Sequence, residues 1–233
     1  MRPIKRGPSP RPSFKHYRDA FPFLAKRLGR YCSYCERAFD PPAIEHMIPK
    51  SRRPAFAKRW DNFLLACLNC NPRKGKRRIV LAHYVWPDRD NTFRALNYSP
   101  GGLVAVSAEI AADLTLVARV QRTLAVFKLD WNPLDHPNEA EDDQWRRRDD
   151  AWQKATHAWD LLDKAKGVSR KAAGLLRQQI LSTATSHGYW SVWVTVFRAD
   201  RPMLKLLFSK AFPGTAGCFD HRYRPTRRRG GAV

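Results

Sequence analysis

Four cysteines stand in two CxxC pairs, Cys32/Cys35 and Cys67/Cys70, which bracket a Glu45-His46 dipeptide and Asn62, with Asn71 directly after the second pair. Two pairs of thiolates can enclose one Zn²⁺ tetrahedrally and leave no coordination position open, so an ion held there is structural. An iron–sulfur cluster is the competing occupant, but paired CxxC knuckles match a zinc ribbon better than ferredoxin spacing. The remaining groups suit hydrolysis. Cleaving a phosphodiester needs a base to take a proton from water, and a Lewis acid to neutralise the phosphoryl oxygens and the departing 3′ oxygen. A neutral histidine, with a reference pKa of about 6.5, can be that base. Glu45 and Asn71 offer oxygen ligands suited to Mg²⁺ or Mn²⁺, and so sparse a set leaves positions for water and phosphate. Lys50, Arg52 and Arg53 on one side, with Lys74 and Lys76 on the other, flank these residues and are the expected phosphate contacts.

Local chemistry says which elements must hold these groups. Residues 31–37 should form a sharp knuckle, because both sulfurs of a CxxC must reach one ion. Residues 43–48 read as a short strand ended by Pro49. Neighbours on a flat strand point to opposite faces, so a bulge or a strand end is needed for Glu45 and His46 to face one substrate. The phrase at 60–66 leads into the second knuckle. Asn71-Pro72 then reads as an N-cap followed by proline at the first helical position, opening a helix that carries Arg73, Lys74, Lys76, Arg77 and Arg78.

Charge points to the partner. The 233 residues carry 43 Lys and Arg against 21 Asp and Glu, a formal charge of +22. Residues 1–80 alone hold 20 basic and 5 acidic side chains. An excess of this size, clustered around the cysteines, favours nucleic acid. The basic opening is followed by no apolar stretch of the secretory kind, and the longest strongly apolar run, 189–197, is far short of the roughly 20 residues of a membrane span. The expected location is therefore cytoplasmic, where thiols stay reduced and Cys218 is an ordinary unpaired cysteine.

The rest of the chain supplies a scaffold. Four prolines and six cations within residues 1–18 suggest either an irregular arm lying on phosphate or on a partner, or a free disordered tail. A short helix is expected at 19–28, with Pro22 in its first turn and Gly29 as its stop. Residues 86–92 (WPDRDNT) read as a polar turn, and 93–97 with 103–106 as a hairpin. Ile110, Leu114, Val117, Val120 and Leu124 follow helical spacing. Residues 138–164 predict a regular helix with an acidic opening (Glu139, Glu141, Asp142, Asp143) and Trp145, Trp152 and Trp159 stacked as a core stripe. Another helix is expected at 170–184, with Leu175, Leu176, Ile180 and Leu181 apolar. The segments 189–197 (helix or strand) and 202–211 close the core, and the tail HRYRPTRRRGGAV is basic and flexible. His16, His136, His157, His187 and His221 lack a paired ligand at useful spacing, and a structural role is favoured for His83.

The phrases CxxC, EHxxPKS and WxNFLLACxxCNxxKG resemble the HNH endonucleases with a zinc-stapled ββα-metal fold. That resemblance implies His46 as general base, Glu45 and Asn71 as holders of the catalytic cation, and Asn62 as the residue that orients the histidine loop. The opening MRPI, YCSYCER, WPDRDNT, QWRRRDDAW and the closing VTVF…AFPGTAGCFD are similar to the HNH subunit of Septu-type anti-phage defence systems, also found beside some retrons. This implies an ABC-type or SMC-like ATPase as partner and double-stranded DNA as substrate. The expected fold class is α+β, with a small ββα-metal unit followed by a mainly helical accessory region. The expected organisation is an arm and short helix (1–30), a nuclease domain (31–90), the accessory region (91–215) and a flexible tail (216–233). A non-catalytic zinc-ribbon adaptor or nucleic-acid-binding protein is the competing reading, in which Glu45, His46 and Asn71 are incidental.

Overall fold

The computed structural model describes residues 1–39, 42–132 and 143–233. The expected acidic helix opening at Glu139, Glu141 and Asp142, and His136, lie outside the described residues. The architecture is mixed, with two small antiparallel sheets and a majority of helix.

The first helix, α1 (Phe21–Leu28), takes Pro22 in its first turn and ends at Gly29 with φ 74°. A 3-10 turn at Tyr17–Ala20 leads into it. Strand β1 (Ala43–His46) pairs antiparallel with β2 (Phe63–Ala66), Glu45 opposite Leu64 and His46 opposite Phe63. A five-residue helix, α2 (Cys70–Lys74), follows. Its start corrects the sequence reading. Asn69, not Asn71, precedes the helix, Pro72 is its third residue, and Gly75 (φ 56°) stops it before Lys76, Arg77 and Arg78. Cys70 must begin the turn for its sulfur to return to the first pair, which moves the start back and releases Asn71 from capping.

Helix α3 (Thr92–Ala95) takes the first residues expected in a strand, so the hairpin is β3 (Leu96–Ser99) with β4 (Leu103–Val106). Asp113 caps α4 (Leu114–Phe127) by accepting the Leu116 amide at 2.9 Å, which leaves Leu114 exposed rather than in the core. The longest helix is α5 (Gln144–Val168), followed by α6 (Arg170–His187), α7 (Trp190–Val196) and α8 (Arg201–Leu206). Segment 189–197 thus resolves to helix. The tryptophan stripe is displaced: α5 buries Arg148, Ala151, Ala155 and Leu162, and Trp152 and Trp159 only half-bury beside this seam. Small residues let α5 approach α6 and α7 closely, where indoles would hold them apart. Leu175 is likewise exposed, because α6 turns Ala173, Ile180 and Ala184 inward.

The expected free arm and flexible tail are both folded into the body. Arg2 donates to the carbonyls of Leu28 and Pro213 and to the Thr215 hydroxyl, and Arg6 pairs with Asp88 at 2.8 Å. At the other end, the Asn91 amide donates to the Val233 carbonyl at 3.0 Å, and the Asn91 side chain donates to the carbonyls of Cys218 and Thr226. Both ends close over residues 86–91, so the WPDRDNT turn is largely buried: Asp90 accepts the amides of Trp86 (2.7 Å) and Ala232 (2.6 Å). Arg2, Arg6 and Arg228 are taken up by carbonyls and a carboxylate distant in sequence, which is why composition read them as solvated.

Glu36 ties the first knuckle to the helical part. Its carboxylate accepts the Ser191 amide (2.8 Å) and hydroxyl (2.7 Å) and the Tyr98 hydroxyl (3.0 Å), and it pairs with the Met1 amino group at 3.0 Å. Burial alone would raise its pKa, but the Met1 ammonium and Ser191 bring it below the ordinary value. Gly188 (φ 82°) allows this approach, since a Cβ there would lie 2.2 Å from the Glu36 carbonyl oxygen.

Asp200 closes the far side, pairing with Arg177 at 2.9 Å and Lys166 at 3.1 Å while capping α8 through the Met203 amide. Burial pushes its pKa up, but Arg177 and the Met203 amide outweigh this and hold it below the ordinary value. A lowered carboxyl stabilises the fold above the unfolded-state pKa of about 4 and loses that contribution as pH falls through the folded value. Asp200→Ala is therefore expected to cost about 3 kcal/mol at pH 7, and clearly less at about pH 3, in denaturant titrations.

Candidate metal and hydrolytic site

The first knuckle turns because Glu36 adopts φ 69°, letting its amide donate to the Cys32 carbonyl (3.0 Å) while the Cys32 amide donates to Arg37 (3.0 Å). The Ser33 amide donates to the Leu65 carbonyl at 2.8 Å, seating this knuckle on β2. The second knuckle joins the end of β2 to α2, where the Asn71 amide donates to the Cys67 carbonyl at 3.1 Å. Together they bring the sulfurs of Cys32, Cys35, Cys67 and Cys70, all buried, within 4.8 Å of one another. Cys35 Sγ and Cys67 Sγ are 3.7 Å apart. Metal–sulfur bonds of about 2.3 Å in a tetrahedron put sulfurs roughly 3.8 Å apart, so the geometry fits zinc. Hydrogen bonds from Cys32, Cys35 and Cys70 hold the Cys67 thiol far below its ordinary range, while the same cluster pushes Cys35 and Cys70 up. Four buried sulfurs within reach of one point form a donor set for a divalent cation. Cys218 is buried alone, away from this cluster.

Beside the cysteines an open cleft is lined by Glu45, His46, Lys50, Asn71, Lys74 and Lys76, with Tyr17 at its edge. His46 is the last residue of β1, and the strand end is what lets it share a cleft with Glu45. His46 Nε2 lies 3.0 Å from the Ala57 carbonyl oxygen. A carbonyl only accepts, so Nε2 carries the proton and Nδ1 keeps its lone pair. The ring is held edge-to-face by Tyr17 (5.0 Å between centroids) and Phe63 (5.2 Å). Burial lowers the imidazole pKa, against the pull of Ala57 and with further lowering from Lys50 and Lys74, which favours the neutral base.

Glu45 is 2% exposed, and burial pushes its carboxyl up to about 7 against the opposing effect of Lys74. Lys74 Nζ lies 3.0 Å from Glu45 Oε1, and the Tyr34 hydroxyl donates to the same oxygen at 3.4 Å. This corrects the phosphate-contact role expected for Lys74: at 2% exposure, its charge is spent on Glu45. Asn71, half-buried, turns no side-chain hydrogen bond to any described residue. Glu45 and Asn71 therefore present a buried carboxylate and an uncommitted amide to one cleft, a donor set that fits a hard divalent cation.

Asn62 lies beneath the cleft, not in it. Its Oδ1 accepts the Ile48 amide (2.8 Å), and its Nδ2 donates to the carbonyls of Ile48 (2.9 Å) and Phe56 (3.2 Å). It thereby fixes the segment between His46 and Ala57. Asn62→Ala leaves three partly buried backbone groups short of partners and is expected to cost about 1–3 kcal/mol in thermal or denaturant unfolding. Lys50 and Lys76 rim the cleft, whereas Arg52 and Arg53 line a neighbouring hollow with Phe56 and Arg78. His83 is exposed on a 3-10 turn at Leu81–His83.

Tyr17 is the residue sequence reasoning missed. Besides backing His46, its ring lies 4.4 Å from Lys50 Nζ. Nothing local marks it, because it reaches the cleft only through the docking of the 3-10 turn on β1.

The family model of the HNH endonuclease matches residues 32–77, a span that takes in both cysteine pairs, Glu45, His46, Asn62 and Asn71. No curated protein matches the chain.

Proposed function

We propose that this protein is a metal-dependent HNH endonuclease that hydrolyses DNA phosphodiester bonds through water activated by His46. One observation carries the reading: Glu45, His46 and Asn71 line a single cleft, with His46 oriented so that Nδ1 is its accepting nitrogen. Strands β1 and β2 with α2 form the ββα unit, and Cys32, Cys35, Cys67 and Cys70 hold a structural Zn²⁺ that keeps β2 and α2 in register. Glu45 and Asn71 hold a catalytic Mg²⁺ or Mn²⁺, with Lys74 sharing the Glu45 carboxylate. When bound, that cation supplies Lewis-acid neutralisation of phosphoryl charge.

The chain's own groups do the rest. His46 Nδ1 takes the proton as water attacks phosphorus, the bond to the 3′ oxygen breaks, and that oxygen takes a proton from solvent water, leaving a 3′ hydroxyl and a 5′ phosphate. The carbonyl of Ala57 stabilises the imidazolium formed in that step. Lys50 and Lys76 on the rim hold flanking phosphates. Cleavage of supercoiled plasmid by zinc-replete protein, with and without added Mg²⁺ or Mn²⁺, tests the reading. In the adaptor reading the protein binds DNA and never cuts it.

A role as the effector of a Septu-type defence complex, alongside an ABC-type or SMC-like ATPase, rests on the phrases outside the nuclease segment. Supporting it, those phrases pack on one another: the Ile4 amide donates to Pro87, Arg2 to Pro213, and Asn91 to Cys218. Co-expression with an ATPase encoded beside this chain is expected to yield a complex stable to gel filtration, and separate elution at low salt would count against the role. No helix among the described residues is long and apolar enough to cross a membrane.

A further inference from the structure

We infer that duplex DNA leaves the cleft along a basic track that continues beyond the family-matched segment, ending on α4 and the C-terminal segment. The inference rests on the nuclease reading for where the scissile phosphate sits. The track is read from three neighbouring hollows, the first two linked by a hydrogen bond and the last two by a common wall residue. The cleft rimmed by Lys50 and Lys76 adjoins a second hollow through Arg52, whose Nε donates to the Lys76 carbonyl at 2.9 Å. That second hollow is lined by Arg52, Arg53 and Arg78 and runs to Leu81. Leu81 is also the near wall of a third, where Arg89, Arg119 of α4 and Arg227 converge.

These cations combine placement in adjoining hollows with freedom from carboxylates. Arg59, Arg94, Arg147 and Lys154 are each neutralised by a neighbouring carboxylate. Arg78, Arg89, Arg119 and Arg227 have no carboxylate partner among the described residues. The one carboxylate of the third hollow, Asp90, is buried and already accepts the amides of Trp86 and Ala232. Beyond Arg227 the next hollow contains Glu109 and Asp113, and there the track ends. A run of unneutralised arginines in linked concavities is built for a regularly spaced polyanion, and the duplex backbone supplies one charge per roughly 1.7 Å of helix axis.

The test is fluorescence anisotropy on a labelled duplex of about 30 base pairs, chosen to exceed the ~16 base pairs that a small domain spans. It is run without added divalent cation, across about 50–200 mM salt. The triple variant Arg89→Ala/Arg119→Ala/Arg227→Ala is compared with Lys164→Ala/Arg170→Ala/Lys171→Ala, which removes the same charge from exposed positions on α5 and α6. Each lost phosphate contact lowers the slope of log K against log salt by about 0.9, so the track variant should lose about 2–3 in slope and about 10–100-fold in affinity. The control should keep the wild-type slope. If the triple variant melts early, Arg89→Ala/Arg227→Ala replaces it, with an expected slope loss of about 2. An unchanged slope in the track variant, or an equal loss in the control, overturns the track. Wild type that binds with the expected slope but never cuts overturns the nuclease reading and leaves the track standing.

Discussion

His46→Ala is expected to reduce plasmid cleavage by about 10²–10⁴-fold while leaving zinc content, duplex affinity and melting temperature close to wild type. The magnitude is that of a general base removed from a step it assists in the transition state. The selectivity follows from position. His46 sits at the end of β1 with its ring between Tyr17 and Phe63, outside the cysteine cluster, and its one hydrogen bond goes to a loop carbonyl. Losing the ring opens a small gap in the cleft wall, whereas the rim cations Lys50 and Lys76 are untouched. Equal cleavage by variant and wild type would remove His46 from the chemistry.

Cys67→Ser is expected to do the reverse, removing the scaffold and the activity with it. Cys67 Sγ lies 3.7 Å from Cys35 Sγ and accepts the Cys70 amide at 3.4 Å, so its loss leaves three sulfurs around an incomplete tetrahedron. Zinc should fall from one per chain to well below half. A structural zinc contributes on the order of 10 kcal/mol to folding, and losing even about 3 kcal/mol lowers the melting temperature of a chain this size by about 6–12 °C. The damage should reach beyond the knuckles. Tyr34, between Cys32 and Cys35, stacks on Phe127 of α4 with ring centroids 3.7 Å apart, and Glu36 holds the start of α7. Cys218→Ser, at a buried cysteine outside the cluster, should keep full zinc. Elemental analysis of the two variants decides the matter: unchanged zinc in Cys67→Ser would refute the assignment.

The site was legible where chemistry constrains spacing. A CxxC must turn sharply to deliver two sulfurs, and the turn was readable from residues 31–37 alone. The adjacency of Glu45 and His46 demanded a break in the strand, and β1 ends at His46. What escaped depends on partners far along the chain. Lys74 looked like a solvated cation because the carboxylate that buries it is 29 positions away, at Glu45. Arg2 and Arg6 looked like a free arm because Leu28, Asp88 and Pro213 reach them only once the chain has folded. Asn71 followed by proline mimicked a helix cap, and only the need to begin α2 at Cys70 shifted it inside the helix. Periodicity failed on α5 for a related reason: seven-residue spacing aligns Trp145, Trp152 and Trp159, but small residues one step away permit tighter packing.

The proposed function gives two metals separate jobs within one segment, a structural Zn²⁺ at the cysteines and a catalytic cation at Glu45 and Asn71. It is tested by plasmid cleavage with protein loaded with one zinc per chain, assayed first in buffer free of other divalent cations and then with Mg²⁺ or Mn²⁺ added. The account predicts no cleavage with zinc alone, and nicking with 3′ hydroxyl and 5′ phosphate ends once the second cation is supplied. No cleavage under either condition, with the duplex still bound, would contradict it and leave a zinc-stapled DNA-binding protein.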